Sequence, residues 1–301
     1  MPAGTTILVY QAYGHEAILE ECLWSLLSLS RWIQPEEAPD VWIYTDQPEW
    51  FQSWPIPFSV VYQKLDAEKI KAWRGPQNFV HRLKIELLAD VLKQRPGPLL
   101  YLDTDTEFVQ SPLPLLRSVA AGKRFMHVSE GKLSQPQQPV LNKLLAFFQK
   151  HPNLPGCKLE VTEDTEMWNA GVLGFSEKEE CPLHQALLLT DALYPLYPKH
   201  IVEQFSFSVV MQEKGAVHAA APYLFHYWNF KEWRLWLASF FKQFKGESWD
   251  NLLRLSQLLQ AHVALQEKGG FYQRRSLWGK IKKEKWQPRL PDWEKLLQQL
   301  Q

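Results

Sequence analysis

A chain of 301 residues, with 46% hydrophobic and 22% charged side chains, is ordinary globular material with room for one large domain or two small ones. Its 33 basic and 33 acidic residues cancel to a formal net charge of zero, which excludes a chain-wide electrostatic grip on nucleic acid. Three scattered cysteines without metal-ligand spacing (Cys22, Cys157, Cys181) exclude a disulfide framework and point to a reducing, cytoplasmic setting. No signal peptide and no run of apolar residues long enough to span a bilayer is read.

Thr5–Tyr10 (TTILVY) reads as a first strand and Gln11–Gly14 as the loop after it. Ile18, Cys22, Leu23, Leu26 and Leu27 recur at helical spacing. Val41–Thr45 and Phe58–Tyr62 read as strands, and Val80, Leu83, Leu87, Leu88, Val91 and Leu92 mark a helix ending near Pro96. In Pro98–Phe108 (PLLYLDTDTEF), Leu99–Leu102 is a short apolar run opened by Gly97 and Pro98, the pattern of a strand buried on both faces. Alternating strands and helices predict βαβ units and a largely parallel sheet. No G-x-G-x-x-G follows the first strand, which speaks against a dinucleotide and leaves other nucleotides open.

Ligands of open α/β sheets bind beyond the carboxyl ends of the strands, where Asp103 and Asp105 stand. Residues two apart in extended chain share a side. Adjacent carboxylates repel unless a cation separates them, and hard oxygen ligands suit magnesium or manganese beside substrate phosphates. The alternative is that the pair only caps the next turn. Ser111–Leu116 reads as a proline-punctuated turn, Arg124–Val128 as a strand, Val140–Gln149 as a helix and His151–Glu166 as an acidic loop. Met167–Phe175 (MWNAGVLGF) reads as a polar turn feeding a strand. Its small residues would let a ligand approach the backbone, or they mark a plain glycine bulge. Glu203–Gln212 reads as a helix whose leading acid suits the helix dipole without any function. In Tyr223–Trp233 (YLFHYWNFKEW), His226 precedes Lys231, a cation for anionic oxygens, and Trp228 and Trp233 offer faces for a sugar ring. A lone histidine is more often structural.

The ordered set HRLKIELL, LLYLDTDTEF, MWNAGVLGF, EQ and HYWNFKEW resembles the family 8 glycosyltransferases, relatives of glycogenin and of bacterial lipopolysaccharide hexosyltransferases, from Thr5 to Trp233. The resemblance implies a GT-A fold: α/β, Rossmann-like, with a mostly parallel central sheet flanked by helices. It implies a nucleoside-diphosphate sugar donor (a UDP-sugar), a Mn2+ or Mg2+ ion, a glycan or lipid-linked acceptor, and transfer of a hexose with retention. By the same resemblance Asp103 and Asp105 are the metal-binding D-x-D, with Thr104 between them at the donor, and His226 is the third metal ligand. Lys231 contacts the diphosphate, and Lys84 faces the donor from its helix. Asn169, Ala170 and Gly171 line the donor-sugar pocket, joined by Trp228, while Gln11, Ala12 and Tyr13 hold base and ribose. Glu203 and Gln204 are the acid–glutamine pair near sugar and acceptor, so that Asp103, Asp105 and Glu203 are expected to be catalytic. The family's last motif usually reads H-x-x-G-x-x-K-P-W; here Lys231 follows His226 after five residues, Asn229 replaces the glycine and Glu232 the proline.

No enzyme nucleophile is legible for a double displacement, so front-face attack is expected, with the departing phosphate oxygen taking the acceptor proton. DTDT also fits the D-x-D-x-T signature of haloacid-dehalogenase-type phosphatases, with Asp103 as nucleophile and Glu163–Asp164 as the later acidic pair. A third reading is an inactive sugar-binding or scaffold protein on the same fold. Residues 1–232 are expected to form the transferase domain and 233–301 a helical extension. Within that extension Trp233–Phe244 and Trp249–Leu265 read as helices. Phe271–Leu290 sets Arg274, Arg275, Lys280, Lys282, Lys283, Lys285 and Arg289 against Glu284, interleaved with Tyr272, Trp278 and Trp286. That is the composition of a contact with an anionic membrane surface at its inner face, or of a solvated helix face. Asp292–Leu300 is expected to be a last helix packing back on the domain.

Overall fold

The computed structural model describes residues 6–135, 137–151, 161–177, 181–213, 215–274, 276, 284–293 and 295. The first half carries β1 (Ile7–Gln11), α1 (Glu16–Ser30), β2 (Val41–Thr45), α2 (Pro48–Gln52), β3 (Val60–Lys64), α3 (Ala67–Arg74), α4 (Arg82–Gln94), β4 (Gly97–Leu102), β5 (Thr106–Phe108) and α5 (Leu113–Ala120). There follow β6 (Arg124–Met126), β7 (Ser129–Lys132), α6 (Pro139–Lys150), β8 (Glu166–Trp168), β9 (Val172–Glu177), α7 (Cys181–Leu193) and α8 (Ile201–Glu213). The chain closes with β10 (Val217–Ala219), β11 (Leu224–His226), α9 (Trp233–Gln243), α10 (Trp249–Ser256) and α11 (Ala261–Arg274).

Seven strands form one sheet in the order β10-β6-β9-β4-β1-β2-β3. Pairing is parallel except at β9, which runs against both its neighbours. The expected α/β architecture with a mostly parallel central sheet is therefore the one observed. The chain builds outward from β1 to β3 and then returns to β4 on the other side of β1. The carboxyl ends of β1 and β4 thus flank the switch point, where sheets of this kind bind ligands. Both faces of these strands are covered: Leu8, Tyr10, Leu100 and Leu102 pack in one core with α1, and Ile7, Val9, Leu99 and Tyr101 in another with α4 and α8. That is why Leu99–Leu102 is apolar without alternation.

Helices α9 and α10 close the α1 side. Trp24 meets Trp233 and Phe240 edge-on at 5.8 and 5.6 Å, and Trp249 Nε1 donates to Ser30 Oγ at 3.1 Å. Within the basic aromatic stretch, Trp286 packs inward on Phe230 and Trp236. Residues 275 and 277–283 of that stretch lie outside the described residues, as do most of the Asp292–Leu300 segment, Thr5 and Cys157. Trp293 docks with its Nε1 on Ser239 Oγ at 3.0 Å. No helix among the described residues is long and apolar enough to cross a membrane.

Three local readings change. Residues 111–116 are not a plain turn but lead into α5, because Pro112 and Pro114 occupy the cap and first turn, where a missing N–H costs nothing. The single helix expected over 249–265 is two, and the second starts where Glu107 Oε2 accepts from Ala261 N–H at 3.2 Å. The third strand is shifted to Val60–Lys64 by its pairing, Val41 opposite Val60.

One buried acid of α1 makes stability depend on pH. Glu20 is 7% exposed, and burial, reinforced by Glu16 and Glu21, pushes its carboxyl up to about 7. A carboxyl raised above its unfolded value near 4.5 binds a proton more readily in the native state. Its contribution is whole below that value and is lost as pH rises through 7. Glu20→Gln removes this titration, so thermal denaturation should show the variant gaining several degrees over wild type at pH 8 and none at pH 4.

Candidate functional site

Beyond β4 the chain turns sharply through Asp103–Asp105 into β5, which pairs antiparallel with β11 so that Thr106 lies opposite His226. This pairing carries His226 back onto the two aspartates. One ligand atom from each of Asp103, Asp105 and His226 lies within 4.8 Å of the others. His226 Nε2 is 3.1 Å from Asp105 Oδ1 and 3.8 Å from Asp103 Oδ2. On the ring's other side, Asn169 Oδ1 accepts from His226 Nδ1–H at 3.1 Å and from Gly171 N–H at 3.0 Å. A ring that donates from Nδ1 and remains neutral turns its Nε2 lone pair toward two carboxylates, which is repulsive unless positive charge lies between them. Two carboxylates and an imidazole oriented through its second nitrogen are the donor set of a divalent cation. The residues present fit such an ion.

Two lysines surround the carboxylates. Lys231 Nζ donates to Asp105 Oδ2 at 2.7 Å. Burial alone would raise Asp105, but the Lys231 ammonium against it holds its carboxyl below the usual range. Lys84 comes from the buried face of α4, 6% exposed, with Nζ 3.2 Å from both Asp103 Oδ1 and Glu203 Oε1 and 3.1 Å from Ala170 O. Burial would depress this ammonium, yet the two carboxylates outweigh it and raise it. Glu203, in the first turn of α8, is pushed up to about 7 by burial against the pull of Lys84. Tyr101 Oη donates to Asp103 Oδ1 at 2.8 Å.

Two cavities meet at this cluster. One, of about 410 Å³, is lined by Gln11, Tyr13, Arg74, Thr104, Asp105 and Arg234, among others. The second, of about 530 Å³, is lined by Asn169, Gly171, Glu203, Gln204, His226 and Trp228, among others. His81, Lys84 and Asp103 line both. The structure therefore gathers the expected residues around one junction, with two qualifications. Ala12 turns into the core, wholly buried, with its N–H on Tyr44 O at 2.9 Å. Lys231 lines neither cavity wall and reaches the junction through Asp105 alone among the described residues.

Glu130, Arg74, His81 and the Arg234–Glu21 pair were not singled out in the sequence. Arg234 is held by Glu21 through two 2.9 Å hydrogen bonds at the wall beside Asp105. Glu130 sits in a bulge, Arg74 at the end of α3, His81 at the cap of α4, Arg234 in the first turn of α9 and Glu21 within α1, scattered positions whose side chains no spacing marks as sharing a site. Glu163 and Asp164 are elsewhere: Asp164 is exposed and bonded to Lys132 at 2.7 Å, and neither lines a cavity at Asp103.

Gly171 has a steric reason to be glycine. A Cβ there would lie 2.1 Å from His226 Cε1 and 2.3 Å from Nδ1. Gly171→Ala must displace the imidazole, and it should weaken Mn2+ binding ~10–100-fold by calorimetry, the size usual for losing a ligand's orientation.

No protein-family model matches the chain, and no curated protein matches it in sequence. Solved structures similar to it include mouse xyloside xylosyltransferase 1 in its apo form, at 12% identity over 71% of this chain and 84% of that one, with a TM-score of 0.48. Galactosyltransferase LgtC in complex with donor and acceptor sugar analogues is similar at 14% identity over 70% and 73% of the two chains, with a TM-score of 0.44. An active-site mutant of LgtC is similar at 13% identity over 71% and 72%, with the same TM-score of 0.44.

Proposed function

We propose that this chain is a metal-dependent glycosyltransferase of the GT-A type that moves a hexose from a UDP-sugar to a glycan hydroxyl, with retention, in the cytoplasm. The observation that carries the reading is the junction itself: a carboxylate–carboxylate–imidazole cluster lies where two cavities meet at the switch point of the sheet. A nucleoside diphosphate laid across it has its base and ribose toward Gln11, Tyr13 and Arg74. Its sugar lies toward Asn169, Gly171 and Gln204, with the half-exposed Trp228 ring as a stacking face. Mn2+ or Mg2+, held by Asp103, Asp105 and His226, would supply Lewis-acid neutralisation of the leaving diphosphate.

The chain's own residues do the rest. Lys231, half-exposed on its pair with Asp105, fixes that carboxylate and adds a positive charge behind it, beside the diphosphate where negative charge grows. Lys84, fixed between Asp103 and Glu203, holds Asp103 in place and neutralises the floor of the sugar cavity. The acceptor oxygen attacks the anomeric carbon from the side the phosphate leaves. The new C–O bond forms as the old one breaks, and the hydroxyl proton passes to the departing phosphate oxygen. The phosphatase reading lacks its second acidic pair at Asp103, and the intact cluster disfavours an inactive scaffold.

Incubation with a panel of UDP-hexoses and Mn2+ tests this. Release of UDP from at least one donor, stopped by EDTA, with NMR of the product showing the donor's anomeric configuration, is the expected result. An inverted product would overturn retention. Hydrolysis of a phosphate monoester with no turnover of any sugar nucleotide would overturn the transferase reading.

A further inference from the structure

Glu130 belongs to no sequence motif, and nothing in the proposed reaction uses it. It is the extra residue of a bulge: β7 and β8 pair with Ser129 opposite Trp168 and Gly131 opposite Met167, which leaves Glu130 without a partner residue between them. A bulge re-aims the side chain it carries, and bulges concentrate beside active sites. Gly131 completes the bend at φ +95°, where an added Cβ would also lie 1.7 Å from Gln135 Oε1. The carboxylate so aimed accepts from two amides, Asn169 Nδ2 at 3.1 Å on Oε1 and Gln204 Nε2 at 2.9 Å on Oε2.

An ionised carboxylate only accepts, so both amides must present their NH2 ends to it. For Asn169 this decides the other end. Its Oδ1 faces Gly171 N–H at 3.0 Å and His226 Nδ1 at 3.1 Å, and because that oxygen also only accepts, the ring proton sits on Nδ1. Nε2 is then the nitrogen left with its lone pair toward Asp103 and Asp105. With Asn169 turned over, an NH2 group would confront Gly171 N–H, and the favoured tautomer would put a proton where a ligand atom is needed.

We infer that Glu130 is a positioning residue that acts on the metal centre through Asn169, by fixing the tautomer of His226. The inference rests on reading Asp103, Asp105 and His226 as a divalent-cation site. Its test is Mn2+ calorimetry on the full chain. Glu130→Leu should weaken binding ~10–100-fold. Glu130→Gln should restore most of it, because its carbonyl still accepts from Asn169 while Gln204 turns its own amide. The double variant Glu130→Leu/Asn169→Leu should bind no more weakly than Asn169→Leu alone. Glu130→Ser, too short to reach Asn169, serves if Glu130→Leu does not fold. 15N spectra of the imidazoles with Mg2+ should show one Nδ1-protonated His226 in wild type and a tautomer mixture in Glu130→Leu.

Wild-type Mn2+ affinity in both loss-of-contact variants would overturn the inference, above all if only the acceptor KM rises, which would make Glu130 a substrate contact. Additive losses in the double variant would overturn it as well. Absence of Mn2+ binding by wild type would instead remove the reading of the site on which the inference stands.

Discussion

Asp105→Asn is expected to lower divalent-dependent turnover by ~10³-fold or more, while the chain stays folded. The carboxylate is 8% exposed and touches both His226 and Lys231. An amide keeps the shape but removes a charged ligand, and it leaves Lys231 without its anchor. Lewis-acid stabilisation is worth several kcal/mol, and each 1.36 kcal/mol is a factor of ten, which sets the magnitude. Steady-state release of UDP measures it, with circular dichroism to confirm the fold. Turnover within tenfold of wild type would mean that this carboxylate does not hold the ion.

Lys84→Met should destabilise the fold by ~3–5 kcal/mol, the usual cost of removing one partner from a buried ion pair. The ammonium sits between Asp103 and Glu203, with Ala170 O as its third acceptor, and no other cation lies within ion-pairing distance of Glu203 among the described residues. Methionine fills the volume but strands a carboxylate at 3% exposure. Urea denaturation at pH 9 should show the full loss, because without the lowering pull of Lys84 the Glu203 carboxyl rises further and ionises only at higher pH. The loss should shrink on acidification below pH 7, because Glu203, already raised by burial to about 7, then takes up a proton and no longer needs a partner. A variant as stable as wild type at both pH values would mean that the Lys84 cluster is not a stabilising network.

The parts of this molecule legible in the sequence are those whose signal is local. Leu99–Leu102 announces a doubly covered strand because every residue of it is buried, and the two aspartates after it announce the edge of the sheet. His226 and Lys231 were legible as a pattern, and the β5–β11 pairing brings them to Asp105 across 121 and 126 positions of chain. Lys84 was legible as a basic residue on α4. Its burial was not, because a charge between Leu83 and Ile85 reads as the polar face of a helix until the partners Asp103 and Glu203 are known. Glu130 was illegible because a bulge is a backbone event that no periodicity records. Helix α5 hid behind its prolines. Helix α7 hid because Leu183, Ala186, Leu189 and Leu193 are buried while Leu188 is exposed, which blurs the helical stripe.

Calorimetric titration of UDP into the full chain, with Mn2+ and again with EDTA, tests the central claim most directly. A nucleoside diphosphate held across the Asp103–Asp105–His226 junction should bind with Mn2+ present, and the heat should vanish both in EDTA and in Asp105→Asn. Equal affinity in EDTA, or no binding of any nucleoside diphosphate at saturating Mn2+, would contradict the account.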